Sequence, residues 1–454
     1  MTRLVGLRDA LASGGTTSAA LVGAALERAG DPAGEGSRVY LTRYDEKALD
    51  AAALVDARRG RGESTSRWAG IPVSVKDLFD VAGEATRAGS RVLAGAPAAR
   101  RTAPAIQRLL AAGFIPVGRT NMTEFAYSGL GLNPHYGTPR NPFERQVGRI
   151  PGGSSSGAAV SVTDGMAAAA IGTDTGGSCR IPAALTGITG YKPTARRIPR
   201  EGVYPLSVSL DSVGPLAQSV SCCAIIDDIM AGGRGDTPQP LPPAALRLAV
   251  LTNYVTDDLE PVVADAYEDA LRRLARAGAR LVELSLPEVD VLPTVNAGGG
   301  MAAAEAWAHH GRQLATAGDQ YDPRVADRIR AGAAIDAADL AEIRRERVRL
   351  IGSFAAAMED FDALLAPTVP IVAPPLAAFE ADADYARLNL LVLRNPSLIN
   401  FLDGCAATVP IHGAGTAPVG LMVAAPGGRD RRLLGIAEAV EGCVRLLEMP
   451  KAVG

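Results

Sequence analysis

The stretch IGTDTGGSCRIPAA, residues 171–184, decides how this chain is read. An apolar lead-in runs into Asp174, then two glycines, then Ser178 at the point where the backbone is most open. A plain turn explains that pattern, and so does a serine nucleophile facing a cradle of backbone amides. Glycine allows the dihedrals that aim successive N–H groups at one point, so the stretch alone leaves both open.

A second stretch of the same kind, RIPGGSSSGAAVSV (149–162), lies just upstream. Amide nests of this composition hold either an oxyanion or a phosphate. A P-loop needs Lys-Ser/Thr directly after its glycines, and a dinucleotide fold needs GxGxxG after its first strand; neither is present. That moves the balance towards acyl chemistry, for which a serine needs a base. The four histidines are His135, His309, His310 and His412, and there is no GxSxG elbow. His309 and His310 fall in a helical segment and read as surface positions. A lysine serves as base only if a desolvated setting keeps it neutral. Only four of the 46 basic residues are lysine, and one of them, Lys76, ends the apolar run GIPVSVK.

Around these motifs, apolar strand-like runs alternate with helical ones. Ile71, Val73 and Val75 alternate with Ser74 and Lys76, as in a strand with two distinct faces. FIPVGRT (114–120), LRLAVLTN (246–253), ARLVELSL (279–286) and DALLAPT (362–368) read as further strands. TTSAALVGAALERAG (16–30), DEKALDAAALVDARRG (45–60), TAPAIQRLLAAG (102–113) and residues 258–277 read as helices, and the first sixty residues as helical throughout. This is an α/β pattern, with helices on both faces of a sheet. No repeat or low-complexity linker divides the chain, so 1–454 reads as a single domain, with a helical insertion at about 295–350.

Composition excludes several functions. A net charge of −3 without a Lys/Arg block argues against nucleic acid and anionic membrane as partners. No apolar run reaches membrane-spanning length, and MTRLVGLRDALASGG lacks a signal-peptide core. Five scattered cysteines without CxxC spacing read as reduced thiols in a cytoplasmic protein, with no metal site.

The set GIPVSVKDLFDVAG (70–83), GRTNMTEFAYSG (118–129), GTPRNPF (137–143), PGGSSSGAAV (151–160) and GTDTGGSCRIPAALTGITGYKPT (172–194) resembles the amidase signature family. The signature core spans about 70–195, and weaker agreement continues through DSVGPLAQSV, LLAPTVP and APVGLMVAA. The resemblance implies the amidase signature fold, a central mixed β-sheet flanked by α-helices on both faces. It assigns the catalytic lysine to Lys76, the bridging serine to Ser154 and the nucleophile to Ser178, with a cis peptide at Gly153–Ser154. It also implies an oxyanion hole from the amides of Thr175, Gly176, Gly177 and Ser178. The reaction implied is amide C–N hydrolysis through an acyl-enzyme on Ser178, without metal or cofactor; esters and carbamates present the same carbonyl. Pocket walls fall on Ala126, Tyr127 and Ser128 and near NFLDGCAATVP (400–410). Dimers are common in the family, so a homodimer is compatible.

Three functions are weighed on these residues. The first is a self-sufficient amidase acting on a small-molecule amide. The second is the glutaminase subunit of a tRNA-dependent amidotransferase, which needs a partner and glutamine. The third is a non-catalytic scaffold, against which the intact lysine and both serines argue. Structural roles are expected for Asp174, Arg180 and Lys192, packing for Cys179, and helix capping for Ser155 and Ser156.

Overall fold

The computed structural model describes residues 3–445. Among the described residues eleven strands form one sheet: β1 (Tyr40–Arg43), β2 (Pro72–Lys76), β3 (Ile115–Thr120), β4 (Ala169–Asp174), β5 (Thr189–Lys192), β6 (Ser212–Ala217), β7 (Arg247–Leu251), β8 (Arg280–Leu284), β9 (Ala363–Pro367), β10 (Cys405–Pro410) and β11 (Gly420–Ala425). Their order is β1-β3-β2-β4-β6-β5-β10-β11-β9-β7-β8. The pairs β3–β2, β2–β4, β9–β7 and β7–β8 are parallel and the rest antiparallel, which makes the sheet mixed.

Strands from both halves of the chain share this sheet, and alternation sends their side chains to two cores. On β11, Leu421 and Val423 join one apolar cluster while Met422 and Ala424 join another on the opposite face. Both faces are therefore covered, as a layered α/β architecture requires. Helix Ser18–Gly30 is capped by Thr17, whose hydroxyl accepts from the Ala20 amide, and helix Asp45–Gly60 has acidic residues in its first turn and arginines in its last. The first sixty residues are not wholly helical, however. Tyr40–Arg43 form the edge strand β1, antiparallel to β3, and a four-residue strand is too short for alternation to reveal.

Between β8 and β9 the chain is helical, with helices Gly300–Ala317, Pro323–Ala331 and Ala337–Ala357. His309 on the first of them is exposed, but His310 is fully buried against Phe125, Tyr204 and Tyr321. The expected surface position fails for His310 because its ring is enclosed by Phe125, Tyr204 and Tyr321 rather than standing in solvent. Among the described residues no helix is long and apolar enough to cross a membrane.

Candidate active site

The parallel strands β2 and β4 end side by side, Val75 opposite Ile171. Carboxyl ends of strands are where α/β sheets place ligands. Lys76 is the last residue of β2 and is completely buried. Its Nζ lies 2.8 Å from Ser154 Oγ and donates to Thr173 Oγ1 at 2.9 Å. Burial is the main reason its pKa falls to about 7; the Asp174 and Asp211 carboxylates pull it back upward by smaller amounts. Sequence reasoning missed Thr173, because a threonine in an apolar run looks like any β-branched strand residue.

The peptide bond Gly153–Ser154 is cis. The Thr123 amide donates to the Ser154 carbonyl at 3.1 Å, and the Gly153 amide donates to that of Gly129 at 2.8 Å, which ties this loop to segment 123–129. The loop then runs into helix Ser156–Thr163. Ser155 precedes that helix without capping it; its amide donates to the Ser178 carbonyl at 3.4 Å and its hydroxyl to the Thr173 carbonyl at 3.4 Å. Ser155 therefore joins the two glycine-rich stretches. Ser156 is buried and makes no cap bond.

Ser178 is 3% exposed, so its side chain is nearly closed off from solvent. The turn that carries it is built around Asp174. One carboxylate oxygen accepts from the Gly177 amide at 2.8 Å and the other from the Cys179 amide at 3.1 Å. Arg180 grips the same carboxylate from Nε at 3.0 Å and from its second nitrogen at 2.9 Å, and Asn400 Nδ2 adds a bond at 2.9 Å. Burial alone pushes Asp174 upward, but Arg180 first, then Lys192 and Asn400, more than offset it and hold the acid at about 2. Asp174 and Arg180 thus have the bracing roles their sequence context suggests.

This bracing corrects one expectation. The Gly177 amide, assigned above to the oxyanion hole, is committed to Asp174; among the described residues, the amides left without an acceptor in the turn are those of Thr175, Gly176 and Ser178. Gly177 itself must be glycine: its φ is +124°, and a Cβ there would stand 2.6 Å from Pro396 and 2.7 Å from Ile181. Cys179 is buried with its thiol on the Gly214 carbonyl at 3.5 Å, and burial pushes its pKa up, so it packs. Lys192 donates to the carbonyls of Pro193 and Gly404 at 2.9 and 2.6 Å and is structural. Arg119 donates to the Phe79 carbonyl at 2.7 Å and lies 3.4 Å from both Asp77 and Glu84, away from Ser178.

The three residues expected as pocket walls have different surroundings. Ala126 takes a left-handed φ of 61° and is buried. The Ser128 hydroxyl donates to Asn389 Oδ1 at 2.9 Å and accepts from the Leu130 amide at 3.2 Å, so it fastens the segment to helix Asp382–Phe401. Tyr127 carries the Arg328 guanidinium over its ring at 4.6 Å. The Nε of Arg328 is buried without an acceptor, and among the described residues no carboxylate pairs with this arginine. Sequence reasoning missed Arg328 because nothing local distinguishes it from forty-one other arginines. Asp403 pairs with Arg196 at 3.6 Å, at the surface.

With this geometry in place, comparison with known proteins defines the class. The amidase family model matches residues 21–434, so the chain belongs to the amidase family, hydrolases of amide C–N bonds. It is 39% identical over 411 residues to 2-amino-5-chloromuconic acid deaminase of Comamonas testosteroni, covering 89% of this chain and 88% of that one. The AtzE component of 1-carboxybiuret hydrolase from Pseudomonas sp. (strain ADP) is 35% identical, with 82% and 83% covered. A glutamyl-tRNA(Gln) amidotransferase subunit from Chloroflexus aggregans is 36% identical, with 89% and 91% covered. Among solved structures, an amidase superposes with a TM-score of 0.87 at 31% identity, over 98% of this chain and all of that one. The peptide amidase of Stenotrophomonas maltophilia superposes with a TM-score of 0.80 at 27% identity, over 99% and 98%.

Proposed function

We propose that the chain is an amidase in which Ser178 is the nucleophile, Lys76 the base and Ser154 the bridge between them. The observation that carries this reading is the buried Lys76 Nζ, held between Ser154 Oγ and Thr173 Oγ1 with its pKa lowered to about 7. In the neutral state its lone pair accepts the Ser154 proton as Ser154 accepts that of Ser178. Ser178 Oγ bonds to the carbonyl carbon, and the oxygen takes the negative charge between the amides of Thr175, Gly176 and Ser178, each contributing roughly 3 kcal/mol to the transition state. Collapse breaks the C–N bond as the proton returns from Lys76 through Ser154 to the leaving nitrogen. Water then releases the acid by the same relay in reverse, and no step calls for a metal or cofactor.

The acyl group in this reading carries a carboxylate. The unpaired guanidinium of Arg328 beside Tyr127 supports it, since Arg is the side chain best suited to a carboxylate. The compounds for which two relatives are named, 2-amino-5-chloromuconic acid and 1-carboxybiuret, are themselves acids. A cytoplasmic location is in keeping with five unpaired cysteines. The test is hydrolysis by the purified chain of a dicarboxylic acid monoamide, its neutral methyl ester, glutamine and a simple anilide. The reading expects preference for the monoamide, loss of all activity in Ser178→Ala and Lys76→Ala, and a raised KM for the monoamide alone in Arg328→Met. Turnover of glutamine only, or only with an added partner, would instead support the amidotransferase reading.

A further inference from the structure

The turn that carries Ser178 is braced from a second side, by a carboxylate the mechanism above does not use. Thr175 donates its hydroxyl to Asp211 Oδ1 at 2.6 Å. The same carboxylate accepts from the Leu206 amide at 3.1 Å and from the Ser207 amide at 3.1 and 3.2 Å. Ser207 is held again from outside: its hydroxyl donates to Glu305 at 2.6 Å, and Glu305 also accepts from the Ser209 amide at 3.0 Å and the Ser209 hydroxyl at 2.5 Å. Arg200 reaches the Asp211 carbonyl at 3.1 Å and that of Val208 at 2.6 Å, closing the loop from below. Glu305 belongs to helix Gly300–Ala317, part of the segment that reads in sequence as an insertion, so a continuous chain of hydrogen bonds runs from that helix to Thr175.

We infer that Asp211 is a positioning residue for the oxyanion cradle, fixing Thr175 so that its amide faces the reacting carbonyl, and that Glu305 on the insertion helix anchors the loop through which Asp211 is itself held. This rests on the proposed use of the Thr175 amide. The physical case is that Asp174 and Asp211 divide the turn between them. Asp174 binds the amides of Gly177 and Cys179, fixing the downstream half, and leaves Thr175 without a constraint from that carboxylate. Asp211 takes hold of Thr175 by its side chain, which leaves the amide free to donate elsewhere. A hydrogen-bond donor preorganised in this way matters where charge develops, and small errors in its placement cost rate rather than substrate affinity. Asp211 is 7% exposed, so its bonds face little competition from water.

The test compares Thr175→Val, Asp211→Asn, the double variant and Glu305→Gln in steady-state kinetics on the amide the wild type hydrolyses fastest. Thr175→Val keeps the amide and the β-branched shape and removes only the hydroxyl, so it decides the question even if Asp211→Asn fails to fold. The expected result is a 10- to 100-fold lower kcat for Thr175→Val and for Asp211→Asn, with KM changed less than twofold. The double variant falls no further than the worse single one, because both changes break one contact. Glu305→Gln shows a smaller loss of the same kind. An unchanged kcat in Thr175→Val, multiplicative losses in the double variant, or a rise in KM with kcat intact would overturn the inference. The Ser178→Ala variant, run alongside, separates this from failure of the proposed function: if it retains activity, the nucleophile itself is wrong.

Discussion

The pH dependence of the reaction is where the geometry of Lys76 speaks most directly. The base must be neutral, and burial brings its pKa to about 7. About half of the enzyme is then competent at pH 7 and about a tenth at pH 6, whereas an unperturbed lysine leaves well under a hundredth neutral at either. The sign is fixed by the charge: protonated Lys76 has no lone pair for Ser154, so kcat/KM rises with pH and levels off above about 8. Thr173→Val is the perturbation that tests the cause. Its hydroxyl accepts from Nζ at 2.9 Å and so favours the charged ammonium. Removing it leaves Nζ less solvated, and the midpoint of the rising limb moves to lower pH by roughly one unit, as expected for loss of one hydrogen bond to a charged group. Asp174 and Asp211, the carboxylates that raise the Lys76 pKa, are untouched by the change. The assay is kcat/KM from pH 5 to 9 on one neutral amide whose own ionisation lies outside that range. A flat profile between pH 6 and 8, or a limb that moves to higher pH in Thr173→Val, would refute the reasoning.

Three further outcomes follow from the braced turn. Asp174→Asn leaves Arg180 buried without a counter-charge and should destabilise the fold by about 3–5 kcal/mol, measured by the urea midpoint; a change below about 1 kcal/mol would mean the pair is dispensable. Gly177→Ala forces a side chain into Pro396 and Ile181 at a left-handed φ, and should lower kcat more than about a hundredfold while circular dichroism stays native. The Cys179 thiol should resist a disulfide reagent at pH 8 in the folded protein and react only on denaturation, since burial keeps it protonated; rapid labelling with loss of activity would contradict that.

What the sequence revealed and what it hid divides along contact distance. Lys76 and Ser178 stood out because each is locally odd, a lysine in an arginine-rich chain and a serine behind two glycines, whereas Ser154, one of three consecutive serines, was assigned only by the resemblance to the amidase signature family. β2 was legible from its alternation, and β3, β7, β8 and β9 as short apolar runs of strand length. The partners that fix the site were not, because they come from far along the chain. Asn400 meets Asp174 across 226 positions, and Glu305 meets Ser207 across 98. His310 illustrates the same limit, since only the packing of its helix over Phe125 makes it a core residue. Gly177 shows the complementary one: the family resemblance assigned its amide to the oxyanion hole, and only the position of the Asp174 carboxylate reveals that the amide is already bonded.

Covalent capture at Ser178 tests the central claim most directly. The purified chain is treated with a serine-directed fluorophosphonate at pH 8, digested, and mapped by mass spectrometry. One adduct per chain on the peptide containing Ser178, absent in Ser178→Ala and formed at least tenfold more slowly in Lys76→Ala, is the predicted result. An adduct on any other residue, or labelling that survives Ser178→Ala, would contradict the account.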